Sequence, residues 1–443
     1  MAMVVKTNRD ALTTLNNLNR NSSALSKSLS KVSTGMKINS AKDDASGYAI
    51  SERMRVQIRS LDQANQNTQN GNSMLKTAEG AVSSTIEILK SLKDKAINAA
   101  NDTNNTETDR ATIQKEMDQF IDQIDDNANV TYNGKYMLDG TKNFKTDSGT
   151  KSTYINMSLS TATTSGTNLT DLSNRAGSSL EITSTDRISI SYVNGGKTYS
   201  TSFQISTNAT VASLTTSSAL NDANKSFSFG TSISVATTAG TTRGNNTSFP
   251  SDGQTAVVLE ASSSGVANQI SGFTIRITDS EGNVRKSATE ALNNFVEIIH
   301  PEDASEDNSI TFHTGEKSNQ SIKVGLKDMR AKALGLKNDV TGNNVNVATV
   351  NRAEGSIAIL DTALSRALDM QTTLGAIQAR LDYTSSNLTV SSENTSASES
   401  TIRDADMAKE MTEYTKNNVL LQASQSMLAQ ANQNSSAVLS LLQ

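Results

Sequence analysis

Residues 75–100 read LKTAEGAVSSTIEILKSLKDKAINAA, and residues 357–388 read IAILDTALSRALDMQTTLGAIQARLDYTSSNL. In the first, Leu75, Ala78, Val82, Ile86, Leu89, Leu92 and Ala96 recur at steps of three and four. In the second, Ile357, Leu360, Leu364, Leu368, Leu374, Ile377, Leu381 and Leu388 repeat that pattern. Such steps place apolar side chains on one face of an α-helix. Two long helical stretches at opposite ends of a chain predict a hairpin in which the ends pair.

The same grammar extends outward from both. Ile50, Met54, Ile58 and Leu61 carry the first stripe back to about residue 45. A helix over 45–100 would span roughly 80 Å at about 1.5 Å per residue. Gly71 and Gly80 weaken it locally and mark points of close approach. Ahead of it, Leu12, Leu15, Leu18, Leu25, Leu29 and Val32 form a one-sided helix that stops near Gly35, a residue suited to ending helices. Asn39-Ser40 and Asp43-Asp44 then offer caps for the next helix. Behind it, Thr106 precedes Asp109 by three, close to a capping box. Ile113, Met117, Phe120, Ile121 and Ile124 share a third helical face, and Asn133-Gly134 and Asp139-Gly140 are turn dipeptides.

At the far end, after Gly342, the helical pattern returns. The last helix carries Met407, Met411, Tyr414, Val419, Leu420, Met427, Leu428, Val438, Leu441 and Leu442. Residues 417–443 contain no charged side chain. An apolar stripe on an uncharged helix associates readily, because nothing repels a partner.

The middle, about 143–307, has a different grammar. It holds both prolines, Pro250 and Pro301, in a Ser/Thr/Gly/Asn-rich stretch. Ile188, Ile190 and Tyr192 alternate, Asn194-Gly195-Gly196 turns, and Tyr199, Phe203 and Ile205 follow in phase, which predicts a β-hairpin. Phe227-Ser228-Phe229 and Phe273, Ile275, Ile277 alternate similarly, and residues 288–299 read as a helical patch. Ile310-Thr311-Phe312 and Ile322-Lys323-Val324 bracket a further turn. The middle is therefore expected to be a β-rich insertion at the far tip.

Only 35% of the 443 residues are hydrophobic and 4% aromatic, so the apolar surface must lie in narrow stripes, as side-by-side helices require. A formal net charge of −5 argues against nucleic-acid binding, which wants a basic face. There is no cysteine, which excludes disulfides and thiolate chemistry. The N-terminus lacks the apolar core of a cleaved signal peptide, and no apolar run is long enough to insert in a membrane. The two histidines, His300 and His313, fall in different elements and predict no metal site. Asp43-Asp44 reads as a capped loop rather than an acid/base pair. The glycines show no phosphate-binding pattern. No catalytic, cofactor or metal residues are expected, and the chain does not read as an enzyme. The sequon at Asn246 arises readily by chance in Ser/Thr-rich sequence.

The terminal motifs resemble those of bacterial flagellin, the self-assembling subunit of the flagellar filament. The likeness runs through Leu29-Ser30-Lys31-Val32-Ser33-Thr34-Gly35-Met36-Lys37-Ile38-Asn39-Ser40-Ala41-Lys42-Asp43-Asp44, Ile50-Ser51-Glu52-Arg53-Met54-Arg55-Val56-Gln57-Ile58-Arg59 and Thr77-Ala78-Glu79-Gly80-Ala81. It resumes in Ile402-Arg403-Asp404-Ala405-Asp406-Met407-Ala408-Lys409-Glu410-Met411 and continues through Gln425-Ser426-Met427-Leu428-Ala429-Gln430-Ala431-Asn432 and Val438-Leu439-Ser440-Leu441-Leu442.

The resemblance implies a mainly α fold with β: a long antiparallel coiled-coil bundle from both chain ends, a small β-hairpin element and an inserted β-rich outer domain. Residues 1–44 with 399–443 would form the coiled-coil core of the filament interior. Residues 45–142 with 308–398 would form a helical rod with the hairpin, and 143–307 the variable exposed domain. Polymerisation would rest on Leu12, Leu15, Leu18, Leu25, Leu29, Val32, Met411, Val419, Leu420, Met427, Leu428, Val438, Leu441 and Leu442. The terminal helices would be loose in the monomer and order on assembly.

Implied partners are further copies of the chain, hook-associated junction and cap proteins, the flagellar type III export machinery, and an export chaperone on the C-terminal helix. Residues 26–44 would contribute to export recognition, and the product would lie outside the cell. The family's innate-receptor surface maps to Leu89, Lys90, Leu92, Lys93, Asp94, Ile97 and Asn98. Ser91, Lys95 and Phe120 stand where receptor-binding members carry arginine, leucine and arginine, which implies weakened recognition. Two alternatives share these terminal motifs: a hook–filament junction protein, and a flagellin whose outer domain binds glycans.

Overall fold

In the computed structural model, which describes residues 8–103, 105–147, 149–194, 197–214, 231–242, 247–250, 253–337 and 344–441, the predicted helices form with recognisable start and stop chemistry. Helix α1 (Arg9–Thr34) opens with the Asn8 side chain accepting from the Ala11 N–H. It closes at Gly35, whose φ of 71° lets its N–H return to the Lys31 carbonyl. In the loop that follows, Asp43 Oδ2 accepts from the N–H groups of Asn39 and Ser40, and Asp44 Oδ1 from those of Ser46 and Gly47. Asp44 thereby caps α2 (Ala45–Ala100), and the acidic pair is structural, as the sequence predicts. Burial pushes the Asp43 carboxyl up, but bonds from Lys27, Ser40 and the Asn39 backbone outweigh it and hold the group low.

Helix α3 (Glu107–Ala128) starts on a full capping box between Thr106 and Asp109. A two-residue turn at Asn133 and Gly134, both with positive φ, joins β1 (Thr131–Tyr132) to β2 (Lys135–Tyr136). The middle supplies β3 (Thr153–Asn156), β4 (Arg187–Asn194), β5 (Lys197–Gln204), β6 (Thr231–Ala236), β7 (Gly240–Thr241), β8 (Thr247–Ser248), β9 (Ala256–Ala261) and β10 (Ile270–Thr278). Then come α4 (Lys286–Asn293), β11 (Phe295–Ile299), β12 (Ile310–His313), β13 (Ser321–Val324) and α5 (Ala331–Leu334), and finally α6 (Val350–Arg403) and α7 (Met407–Leu441).

Contacts divide the chain into two units. The first comprises Met1–Thr68, His313–Gln320 and Tyr383–Gln443; the second comprises Gln69–Phe312 and Ser321–Asp382. In the second unit α2 and α6 run antiparallel, with Gln378 donating to Glu79, Asn72 to Asp382, and Lys93 pairing with Asp361. Their facing stripes, Leu75, Val82, Leu89 and Leu92 against Leu360, Leu374 and Leu381, join Met117, Ile121 and Ile124 of α3 in one buried core. The β12–β13 hairpin adds Ile322 and Val324. A Cβ at Gly71 would strike the Phe312 ring, so this glycine admits a strand residue rather than another helix. Gly80 has nothing beside it, and the close approach expected there is not found.

The insertion builds its own core from an antiparallel sheet of order β10-β4-β5 and another of order β11-β3-β9-β6. The predicted hairpin is β4–β5, with Ile188 opposite Phe203 and Tyr192 stacked on Tyr199. Its tip at Gly195-Gly196, the alternation at 227–229, the sequon residue Asn246 and the residue Gly342 lie outside the described residues. The helix expected over 288–299 ends at Asn293; Phe-Val-Glu-Ile-Ile then pairs with β3, because β-branched and aromatic residues favour the pleated surface.

Candidate assembly surface

In the first unit, α1 and α7 pack side by side in opposite directions. Asn8 donates to the Ala431 carbonyl, Asn21 to Ser424 Oγ (2.7 Å) and Asn417 to Ser28 Oγ (3.1 Å), while Lys31 meets Glu410 at 3.4 Å. The turn beneath is tied by the Lys37 N–H to the Arg403 carbonyl and the Ala405 N–H to the Gly35 carbonyl. Below the turn, Arg403 is buried against Glu52 at 2.6 Å and lies over the Tyr48 ring, and Ser385 and Ser392 donate to Asn65 and Asp62. The Arg403 bond is the main cause holding the Glu52 carboxyl below its ordinary range.

The seam between the two terminal helices is mixed, with Asn and Ser side chains bonded across it between half-buried apolar ones. Ser28 is the buried residue of α1, and no described side chain of α7 is buried. The large apolar residues divide between the seam and open water. Leu18, Leu25, Val32 and Leu428 are half-buried along the seam, whereas Leu12, Leu15, Leu29, Met411, Val419, Leu420 and Met427 are exposed, Leu12 at 56% and Met427 at 62%. The side chains of Val438 and Leu441, and Leu442 altogether, lie outside the description.

The two helices differ in how their apolar residues are arranged. Those of α1 keep to one broad side, of which the seam takes one edge. The single stripe expected on α7 is not what the helix presents: Met407 and Met411 project on one side, Leu420 and Met427 on another. A helix with apolar residues on several sides needs partners on several sides. Nothing charged intervenes after Lys416.

The receptor-like segment on α2 is mostly compensated. Leu89 and Leu92 are fully buried in the second unit's core and offer no surface. This follows from the stripe they belong to, since both lie in phase with Val82 and Ala96. Lys90 pairs with Glu87 and Lys93 with Asp361 at 2.5 Å. Asp94, Ile97 and Asn98 are exposed, Asn98 holding the Asn105 amide. Lys95 is salt-bridged to Glu116 at 2.6 Å and stands over the Phe120 ring.

His300 lies in the loop after β11, its Nδ1 3.0 Å from Glu297. Among the described residues, no group of three or more His, Asp or Glu side chains could hold a metal, and no helix is long and apolar enough to cross a membrane. Sequence reasoning missed Arg366, which is buried against Glu297. Its signal was an arginine in phase with Ala363 and Met370 on the buried face of α6.

Comparison with known proteins finds likeness at both chain ends and over the full length. The bacterial flagellin N-terminal helical region matches residues 5–143, and the bacterial flagellin C-terminal helical region matches residues 357–442. A flagellin of Clostridium tyrobutyricum is 34% identical, over 97% of this chain and 99% of that one. A flagellin of Bacillus subtilis is 30% identical over 99% of this chain and 100% of its own length. Flagellin B of Vibrio anguillarum is 32% identical over the full length of both.

Proposed function

The chain belongs to the bacterial flagellin family, and we propose that α1 and α7 are the surfaces by which this filament subunit polymerises. The observation that carries the reading is the incomplete cover on the terminal helices: a seam that fully buries no large apolar side chain among the described residues, and others left in water beside it. A large apolar side chain taken fully out of water contributes about 1.5–3 kcal/mol. Ordering a residue costs about 1–2 kcal/mol of backbone entropy. The intrachain seam alone does not offset that cost, and shared burial between subunits does. The helices are therefore loose in the monomer and set by their neighbours. A contact between different patches of identical subunits does not close on itself and grows into a helical filament.

Residues 1–44 with 399–443 form the filament's inner layer, 45–142 with 308–398 the rod, and 143–307 the outer domain. The role is structural, and the polymer lies outside the cell as part of the flagellum. The chain leaves by the flagellar type III export route, residues 26–44 contributing to recognition. An export chaperone covers the uncharged α7 before assembly, and junction and cap proteins bound the polymer. Innate-receptor recognition through Lys90, Lys93, Asp94, Ile97 and Asn98 is weak, because Lys95 is held by Glu116 and Phe120. A cell reporter responding at full potency would contradict that last point.

Seeded polymerisation of purified monomer, viewed by electron microscopy, tests the main reading. Long filaments are expected. Competent seeds that fail to grow with folded monomer would instead favour a junction protein.

A further inference from the structure

Arg366 is a buried cation that contacts three separate segments at once. Its Nε donates to Glu297 Oε2 (2.9 Å) and one terminal nitrogen to Glu297 Oε1 (2.6 Å), a two-pronged grip on β11. The other terminal nitrogen donates to Gln269 Oε1 (2.7 Å), at the entry to β10, and to the Ala333 carbonyl of α5 (2.8 Å). Gln269 passes the connection on, its Nε2 donating to the Lys332 carbonyl (2.8 Å). Ser152 Oγ and His300 complete the shell of Glu297. One side chain of α6 thus touches the insertion at two strands and the helical layer at α5.

Other contacts join the insertion to α6: Tyr154 bonds to Thr362, and His300 lies 4.0 Å from Asp369. Gly272, at φ 63°, brings β10 against the helix so closely that a Cβ there would strike Ile359 and the Gly355 carbonyl. The nearby Arg276–Glu354 pair is half-exposed and long, at 3.8 Å. That close fit and that exposed pair form no directional grip on the insertion; a bidentate guanidinium–carboxylate pair does. Sliding α6 by one turn, about 5.4 Å, would remove Arg366 from Glu297, Gln269 and Ala333 together. Burying such a pair also yields little net stability, since desolvation offsets the attraction and an apolar pair of similar size often serves as well.

We propose that the Arg366–Glu297–Gln269 cluster is an orientation lock: it selects one seating of the inserted β layer on α6, so that insertion and helix move as one body. Stability comes from the cores on either side, and the lock supplies uniqueness.

The chain has no cysteine, so spin labels can be placed cleanly in the full-length protein through Arg276→Cys and Glu354→Cys. With the lock intact, dipolar broadening should report one narrow distance distribution. The double variant Arg366→Met with Glu297→Leu should keep a thermal midpoint close to that of the parent yet broaden the distribution or split it. Arg366→Lys retains the charge and loses the fork; it should broaden the distribution too, and it covers the case in which the apolar pair fails to fold. A narrow, unchanged distribution in either folded variant would overturn the proposal. So would an apolar double variant that folds with a midpoint as low as that of Arg366→Met alone, since the pair would then be a source of stability.

Discussion

The two units of this chain treat apolar side chains in opposite ways. In the second unit, Leu75, Leu89, Leu92, Met117, Ile121 and Ile124 are fully enclosed by α2, α3 and α6 of the same molecule. In the first, Leu12, Leu29, Val419 and Met427 remain in water beside a seam that only half-buries Leu18, Leu25, Val32 and Leu428. One region satisfies itself; the other leaves large apolar side chains uncovered. A subunit that must travel as a monomer and then polymerise needs both kinds of region, and the division here follows the ends of the chain.

The most severe way to break this comparison is to charge the unsatisfied region. Leu420→Lys with Met427→Lys puts two like charges on a helix half that has none, and should abolish seeded elongation. The second unit's urea transition should stay where it was. Deleting residues 439–443 should weaken elongation in the same selective way; normal filaments from either would contradict the role given to α7. A substitution in the satisfied region should do the reverse. Ile124→Ala empties part of a closed core and should cost about 2–5 kcal/mol in urea unfolding of the second unit. A loss confined to assembly would mean that core is not self-sufficient.

A third test uses pH. Burial pushes the Glu297 carboxyl up, but Arg366 and His300 outweigh it and hold the group at about 2, against an ordinary 4.5. A lowered value means the contribution is fully present above about 4.5 and is lost as pH falls toward 2. Asp369, Lys327 and Tyr154 also border the cluster. Glu297→Gln should therefore flatten, without removing, the acid dependence of second-unit stability, and an unchanged limb would place the dependence on other carboxylates. The smallest effect expected is local: Thr106→Ala removes one half of the α3 capping box and should cost about 1 kcal/mol.

Much of this was readable in the sequence because long helices repeat their pattern many times. Ala45 and Ala100 bound α2 where the spacing places them, and Gly35 and Thr106 mark their termini by local chemistry alone. Residues 295–299 were misread as helix because a short apolar run has no period, and their pairing with β3 depends on a strand far away in sequence. Met407, Met411, Leu420 and Met427 looked like one stripe because a list of apolar positions hides their angles around α7. Arg366 was illegible for a related reason: its partners Glu297, Gln269 and Ala333 come from three distant segments, and no local rule connects them.

The central claim, that the terminal helices are completed by neighbouring subunits, is tested most directly by amide hydrogen exchange on monomer and on filament. Amides of α1 and α7 should exchange quickly in the monomer and be strongly protected in the filament, while those of α3 and the second half of α2 are protected in both. Equal protection of α1 and α7 before and after assembly would contradict the account.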